Sequence, residues 1–178
     1  MRIVGIDPSL TGTGLAILNQ HGAWVTTIMT TGRRGDGLAE RDHRIRYIVN
    51  EVLADDMCNA DLAVIEGPAI TRNAGSAWDR AGLWWRIVHR LLANDVPVAV
   101  CPPSTRAKWA TGRGNADKAA VAVAVARMWP DVELTDDNQA DALALASMGA
   151  QRLGLLPTDK KHHTDALAAV AWPETWED

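Results

Sequence analysis

The sequence predicts an α/β fold, in which a mixed five-stranded sheet, with three antiparallel strands followed by parallel strands, is flanked by helices. Two observations indicate this fold. Short apolar runs separated by glycines fill the first 31 residues. After them, segments with apolar residues three and four positions apart alternate with short β-type runs, as in helices that connect parallel strands. With 178 residues, 47% of them apolar, the chain suffices for one well-buried domain and is too short for two ordinary ones.

The N-terminal part is predicted to form an antiparallel meander, because glycines mark the turns between its apolar runs. Its strands are expected near residues 2 to 7, 14 to 19 and 23 to 31. A helix from about Leu38 to Ala54 and a short apolar strand ending at Glu66 follow. Because crossovers between parallel strands are right-handed, the fourth strand should lie parallel to and beside the first. Asp7 and Glu66 would then emerge at neighbouring points of one sheet edge.

The second half is predicted to be mostly helical. A helix from Ser76 to Asn94 precedes a strand from Val96 to Cys101. Further helices are expected near residues 104 to 110, 116 to 128 and 136 to 150. We assign residues 1–152 to one domain, and residues 153–178 to a C-terminal extension that is not a separate domain.

Composition argues against several classes of protein. Only Cys58 and Cys101 are present, far apart and without Cys or His at metal-ligand spacing, so neither a disulfide framework nor a zinc site is expected. No stretch approaches the roughly 20 apolar residues of a membrane span, so we expect a cytoplasmic protein without a membrane partner. The net charge of −4 does not by itself favour nucleic acid. Divalent ions bound to a few acids would remove that objection.

Four acidic residues indicate a metal site. Asp7 and Glu66 each end an apolar strand, and Asp137 and Asp141 lie one helical turn apart. Carboxylates taken out of water require partners, and no Lys or Arg stands three or four positions from Asp141. Mg²⁺ prefers oxygen ligands, keeps several waters and leaves room for a phosphate. We therefore predict that Asp7, Glu66, Asp137 and Asp141 bind two Mg²⁺ ions, for which Mn²⁺ could substitute.

Basic residues cluster in three segments, which suits contact with a phosphate backbone. The candidate DNA-binding residues are Arg72, Arg106, Lys108, Arg113, Asn115 and Lys118. Lys118 also stands in the opening turn of a predicted helix, where a cation opposes the helix dipole unless an anion is bound. Asn115 could cap that helix, and a solvated lysine is the alternative to a catalytic Lys118.

Structural roles remain open for other residues. Asp137 could instead stabilise the positive end of its helix, with Thr135 as the cap. Adjacent Trp84 and Trp85 cannot share one helix face, so one could be buried and the other could form a dimer contact. Trp109 could stack on a DNA base or pack in the core.

Four short motifs occur along the chain in a fixed order. They are Gly5-Ile6-Asp7-Pro8-Ser9 with Gly12-Thr13-Gly14, then Val64-Ile65-Glu66, Gly112-Arg113-Gly114-Asn115-Ala116-Asp117-Lys118 and Ala140-Asp141-Ala142-Leu143-Ala144. In order and spacing they resemble the RuvC-type four-way-junction resolvases of the ribonuclease-H-like nuclease superfamily, over roughly residues 1 to 150.

This resemblance implies a ribonuclease-H-like fold and a homodimeric, Mg²⁺-dependent endodeoxyribonuclease that cuts four-way (Holliday) or branched DNA junctions in recombination and repair. By match, Asp7, Glu66 and Asp141 take the metal-ligand roles, and Lys118 takes the basic catalytic position. One departure is Asn138, which stands where the family often has an acid or a histidine, with Asp137 one position earlier. Another is the absence of an aromatic residue shortly after Glu66, so base contacts are not carried over.

Two other functions stay open at this point. An ATPase of the actin and sugar-kinase type also begins with a strand, an aspartate and a glycine turn, but such enzymes need a second domain that 178 residues do not provide. A junction-binding protein that does not cut DNA is the other alternative, and divalent-dependent cleavage would distinguish it from a nuclease. The Ala- and Arg-rich composition indicates a bacterial or phage source.

Overall fold

The computed structural model describes residues 1–54, 59–68 and 76–174. Within these residues a five-stranded sheet is flanked by helices, as the sequence predicts. The strands are β1 (Arg2–Asp7), β2 (Gly12–Asn19), β3 (Gly22–Met29), β4 (Leu62–Glu66) and β5 (Val98–Cys101). The helices are α1 (Leu38–Val52), α2 (Ala77–Leu92), α3 (Pro103–Thr111), α4 (Lys118–Met128), α5 (Asp137–Arg152) and α6 (Lys161–Leu167).

The sheet has the strand order β3-β2-β1-β4-β5. Strands β1, β2 and β3 pair antiparallel, and β4 lies parallel to both β1 and β5. The predicted position of the fourth strand beside the first is therefore confirmed. Ile6 is opposite Ile65 in the register, so Asp7 and Glu66 leave the sheet at the same edge.

The sheet separates two hydrophobic clusters. One face is covered by α1 and α2, whose buried side chains are mostly large and aliphatic, including Ile48, Val52, Leu83 and Ile87. The other face is covered by α5, which is rich in alanine and is buried along most of its length. Around α5 lie α3, α4 and α6.

Helix α5 lies unusually close to the sheet because glycines leave room for its backbone. A Cβ atom on Gly5 of β1 would overlap the carbonyl oxygen of Ala142 and lie 2.6 Å from the amide nitrogen of Ala146. A Cβ atom on Gly14 of β2 would overlap the carbonyl oxygen of Asn138. Backbone therefore meets backbone, which fixes the height of α5 above β1 and β2.

Two helix caps differ from those expected. The N-cap of α4 is Asp117, whose carboxylate accepts a hydrogen bond from the amide of Ala120, so Asn115 does not cap it. The N-cap of α5 is Asp136 and not Thr135. In both helices an acidic residue was closer to the first turn than the residue we favoured, and it also complements the helix dipole.

The residues after α5 pack onto the rest of the chain. Helix α6 lies against α3, and Ala166 and Val170 are buried in the α5-side cluster. Val100 of β5 and Ala171 exchange two backbone hydrogen bonds of 3.0 Å. The domain boundary at residue 152 stays a prediction. Among the described residues, no helix is both long and apolar enough to cross a membrane.

Candidate active site

Three of the predicted acids converge on one edge of the sheet. Asp7 is the last residue of β1, Glu66 is the last residue of β4, and Asp141 lies one turn into α5, which crosses these strands. Asp7 has 9% of its surface exposed and Asp141 has 1%. The backbone of α5 packs directly on Gly5 of β1, and this contact holds Asp141 at the strand ends.

Arg106 of α3 joins two of these carboxylates. Its Nε donates a hydrogen bond to Glu66 Oε2 at 2.5 Å, and its Nη1 donates to Asp141 Oδ1. Only 8% of the Arg106 side chain is exposed. We placed Arg106 among the DNA-binding residues, and its pairing with two acids was missed because the three residues lie far apart in the chain. The available signal was its position, five residues after Cys101, in the helix that follows the strand next to β4.

Burial, together with an imbalance between three carboxylates and one buried guanidinium, raises the pKa values of two acids in the cluster. Burial, and then the charges of Glu66 and Asp141, raise the pKa of Asp7 to about 7. Burial also raises the pKa of Asp141 to about 6, against the opposing charge of Arg106. Burial disfavours the charged form of Arg106, but Glu66 and Asp141 outweigh it and its pKa is raised. A further cation would relieve this imbalance.

The chemistry of these donors fits a divalent cation. Asp141 Oδ2 is buried and has no hydrogen-bond partner among the residues that the structure describes. Carboxylate oxygens are the ligands preferred by hard cations such as Mg²⁺. In the described ranges, however, no three His, Cys, Asp or Glu side chains are arranged so that they could hold a metal ion together. In this arrangement the Arg106 guanidinium occupies one oxygen of Glu66 and one of Asp141.

Asp137 and Lys118 form a separate pair at the rim of the cluster. Lys118 Nζ lies 2.9 Å from Asp137 Oδ2, and both side chains are partly exposed. This hydrogen bond raises the pKa of Lys118 and lowers that of Asp137. Lys118 also acts electrostatically on Asp7 and Asp141, so it lies near the acids. The start of α5 is held by Asp136, which accepts hydrogen bonds from the amide of Gln139 and from Thr27 Oγ1.

The other predicted DNA-binding residues lie on the α3 side of the cluster. Arg113 and Asn115 are exposed in the loop between α3 and α4, after Gly112, which has a φ of 81°. Lys108 is half-buried, and its Nζ lies 3.7 Å from Asp165 Oδ2. Arg72 lies outside the described residues.

Some tryptophans support the fold through hydrogen bonds, and others are exposed on the surface. The indole N–H of Trp84 donates a hydrogen bond of 2.9 Å to the backbone oxygen of Glu66, so it steadies the end of β4. Trp85 is exposed, which confirms that the two neighbours face different environments. Trp109 is fully buried, stacks on His163 and donates to Gln151. Of the two interpretations of Trp109, core packing is therefore right and base stacking is wrong.

Comparison with known proteins agrees with this geometry. The family model described as Crossover junction endodeoxyribonuclease RuvC matches residues 3–148. The chain belongs to this family. The RuvC of Nocardia farcinica is 31% identical over 88% of this chain and 84% of its own length. That of Acidiphilium cryptum is 32% identical over 85% of this chain and 92% of its own.

Solved RuvC structures have the same fold. A Thermus thermophilus RuvC structure matches with a TM-score of 0.66 and 25% identity, covering 86% of this chain and 97% of that one. T. thermophilus RuvC in complex with Holliday junction substrate matches with a TM-score of 0.64, covering 82% and 90%. The predicted ribonuclease-H-like fold and endodeoxyribonuclease activity are confirmed. Nucleases of this family generally use divalent metal ions.

Proposed function

We propose that the protein resolves four-way (Holliday) or branched DNA junctions by phosphodiester hydrolysis with two Mg²⁺ ions, in the cytoplasm of a bacterial or phage-infected cell. The observation that supports this most is the convergence of Asp7, Glu66 and Asp141 in a chain of the RuvC family. A homologous protein has been solved with a Holliday junction substrate, which supports the same class of substrate here.

Asp7, Glu66 and Asp141 would hold the ions, and Asp137 could join them once its pair with Lys118 opens. Divalent ions in such a site activate a water molecule and stabilise the leaving oxygen of an in-line displacement. The side chains of Asp7 and Asp141 are already nearly removed from solvent, so little reorganisation is needed to exclude water around the scissile phosphate. Trp84 keeps the end of β4 in place through the backbone of Glu66.

Lys118 is the cation best placed to act on the substrate. It lies at the rim of the cluster, its side chain is largely exposed, and among the contacts described it is paired only to the partly exposed Asp137. There it would offset negative charge that grows on the phosphoryl oxygens. Arg113, Asn115 and Lys108 would contact the DNA backbone beside it. Arg106 could reach DNA only after leaving Glu66 and Asp141, and Arg72 completes the proposed set.

A homodimer is part of the proposal, because two symmetric cuts need two active sites. Helix α2 carries a stripe of exposed apolar residues spaced seven positions apart, Trp78, Trp85 and Leu92, whose exposed fractions are 85%, 64% and 55%. This spacing places them on one face of the helix. Trp85→Glu should therefore give a monomer in sedimentation velocity, and an unchanged dimer would remove this stripe from the interface.

The experiment measures cleavage of a labelled four-way junction. A labelled flap, a linear duplex and an RNA–DNA hybrid are tested in the same way as alternative substrates. The protein should cut the junction in Mg²⁺ and not in EDTA. Asp7→Asn should bind the junction and fail to cut it. Asp42→Asn is the control, because it makes the same chemical change on α1, where Asp42 forms ion pairs with Arg46 and Arg86. This variant should cut like the unmodified protein.

Junction binding without cleavage in Mg²⁺ or Mn²⁺ would contradict the proposal and favour the non-cleaving alternative. Equal cutting by Asp7→Asn would remove Asp7 from the active site.

A further inference from the structure

The guanidinium of Arg106 lies where the carboxylate cluster most needs positive charge. It bonds to one oxygen of Glu66 and one oxygen of Asp141, and its side chain is buried. Charge-assisted hydrogen bonds of this forked kind are among the strongest in proteins. Two of the three acids are thereby already partnered without any metal ion.

The same contacts leave the cluster incomplete. Within the described part of the chain Asp141 Oδ2 remains buried without a partner, and the single charge of Arg106 cannot offset three carboxylates. Arg106 bonds to one carboxylate oxygen of Glu66 and one of Asp141. A metal ion held by these two residues would need the same oxygens as ligands. The guanidinium and a metal ion therefore compete for the same oxygen atoms, and the two hydrogen bonds of Arg106 must break before the ion can use them.

We propose that Arg106 is a resident counter-cation, which pairs Glu66 with Asp141 in the metal-free protein and is displaced when divalent ions bind. This inference rests on the proposed metal site at Asp7, Glu66 and Asp141. Arg106 is a positioning residue in this scheme. It keeps the acids together before metal binding, and it weakens metal binding because its two hydrogen bonds must first be broken.

Arg106→Leu should change two properties in opposite directions. Without metal, the variant should melt at a lower temperature, because Glu66 and Asp141 lose their cation. Mn²⁺ should bind more tightly, on the order of tenfold, because no charge-assisted pair has to be broken first. Mn²⁺ affinity is measured by electron paramagnetic resonance of the free ion, and stability by thermal unfolding in EDTA.

Two further variants separate this from a merely structural role. Arg106→Lys keeps the positive charge and should have a Mn²⁺ affinity closer to the unmodified protein than to Arg106→Leu. Arg41→Leu is the matched control, since Arg41 Nε donates a 2.8 Å hydrogen bond to Asp79 between α1 and α2, away from the cluster. It should lower the melting temperature and leave Mn²⁺ affinity unchanged.

The unmodified protein provides an independent test that does not depend on a variant folding. In nitrogen-15 spectra of arginine side chains, the Nε–H of Arg106 should be protected from exchange in EDTA, because Glu66 accepts from it. Saturating Mg²⁺ should shift this signal and remove its protection.

Persistence of the protected signal at saturating Mg²⁺ would overturn the proposal, as would equal or weaker Mn²⁺ affinity in Arg106→Leu. These results differ from failure of the proposed function. In that case Asp7→Asn would bind Mn²⁺ as well as the unmodified protein does, whatever the state of Arg106.

Discussion

The two faces of the sheet are built on different physical principles. On the α1 and α2 face, large aliphatic side chains such as Ile48 and Ile87 fill the space between helix and strand. On the α5 face, Gly5 and Gly14 let the helix backbone touch the strands, and alanines together with larger side chains such as Leu143 and Met148 fill the remainder. The first arrangement supplies hydrophobic stability. The second supplies a fixed distance, and only this face carries Asp141.

The difference suits the placement of a proposed metal-binding acid, Asp141, on α5. Aliphatic side chains can change rotamer to absorb a small displacement, whereas a contact between backbone atoms cannot. Asp141 must meet Asp7 and Glu66 from another element, so its element benefits from the stiffer contact. Substitutions on the α5 face should therefore impair function as well as stability, and those on the other face should impair stability alone.

The largest effect is expected for Gly5→Ala. Its new methyl carbon would overlap the Ala142 oxygen and approach the Ala146 nitrogen to 2.6 Å, and both are backbone atoms. We expect a loss of more than about 3 kcal/mol in urea unfolding and loss of cleavage below the melting temperature. Gly82→Ala on α2 is the control, because its methyl would be 4.0 Å from Ile45 Cδ1, and it should gain about 0.5 kcal/mol or more. A Gly5→Ala protein as stable as the original would end the backbone-contact explanation.

Ile48→Ala on α1 should come next in size. Ile48 is fully buried, so truncation leaves a cavity and should cost about 2 to 3 kcal/mol in the same unfolding assay. Because α1 contributes no residue to the acidic cluster, the cleavage rate well below the melting temperature should be unchanged. A lower rate in fully folded protein would show that the two faces are coupled.

Asp7→Asn should stabilise the metal-free protein in a pH-dependent way. The folded pKa of Asp7 is raised from 3.8 to about 7, so its contribution is favourable below the lower value and is lost as pH rises through the higher one. Asparagine avoids that loss. Thermal unfolding in EDTA should show a gain of roughly 2 kcal/mol near pH 8 that shrinks toward pH 4. A gain in stability that does not vary with pH would mean that the pKa of Asp7 is not raised in the folded protein.

Asp136→Ala should have the smallest effect of the four. Asp136 caps α5 and also accepts a 2.6 Å hydrogen bond from Thr27, so its loss should cost about 1 to 2 kcal/mol. Asp117→Ala removes a cap on α4 and should cost about 1 kcal/mol or less. Equal losses in urea unfolding would show that the Thr27 bond contributes nothing to the position of α5.

Much of the fold could be predicted because local patterns specify it. Glycine turns and apolar runs indicate the meander, and the handedness of crossovers places β4 beside β1. Asp7 and Glu66 therefore converge by topology alone. The sequence analysis did not predict that Gly5 and Gly14 leave room for α5, because no local pattern says which element fills the space above them.

The ion pairs of the site could not be predicted in the same way. Arg106 meets Glu66 and Asp141 from 40 and 35 positions away, and Lys118 meets Asp137 across two helices. Such contacts depend on how α3 and α4 pack on α5, which no local period encodes. The sequence identified these residues as charged and clustered, and their partners required the fold.

The most direct test of the metal site is a crystal soaked in Mn²⁺ and measured at a wavelength where manganese scatters anomalously. The Asp7, Glu66 and Asp141 cluster should show strong anomalous peaks within coordination distance of these carboxylates, and Arg106 should have left Glu66. Peaks only elsewhere, or none at the cluster under conditions in which the protein cuts junctions, would contradict the account.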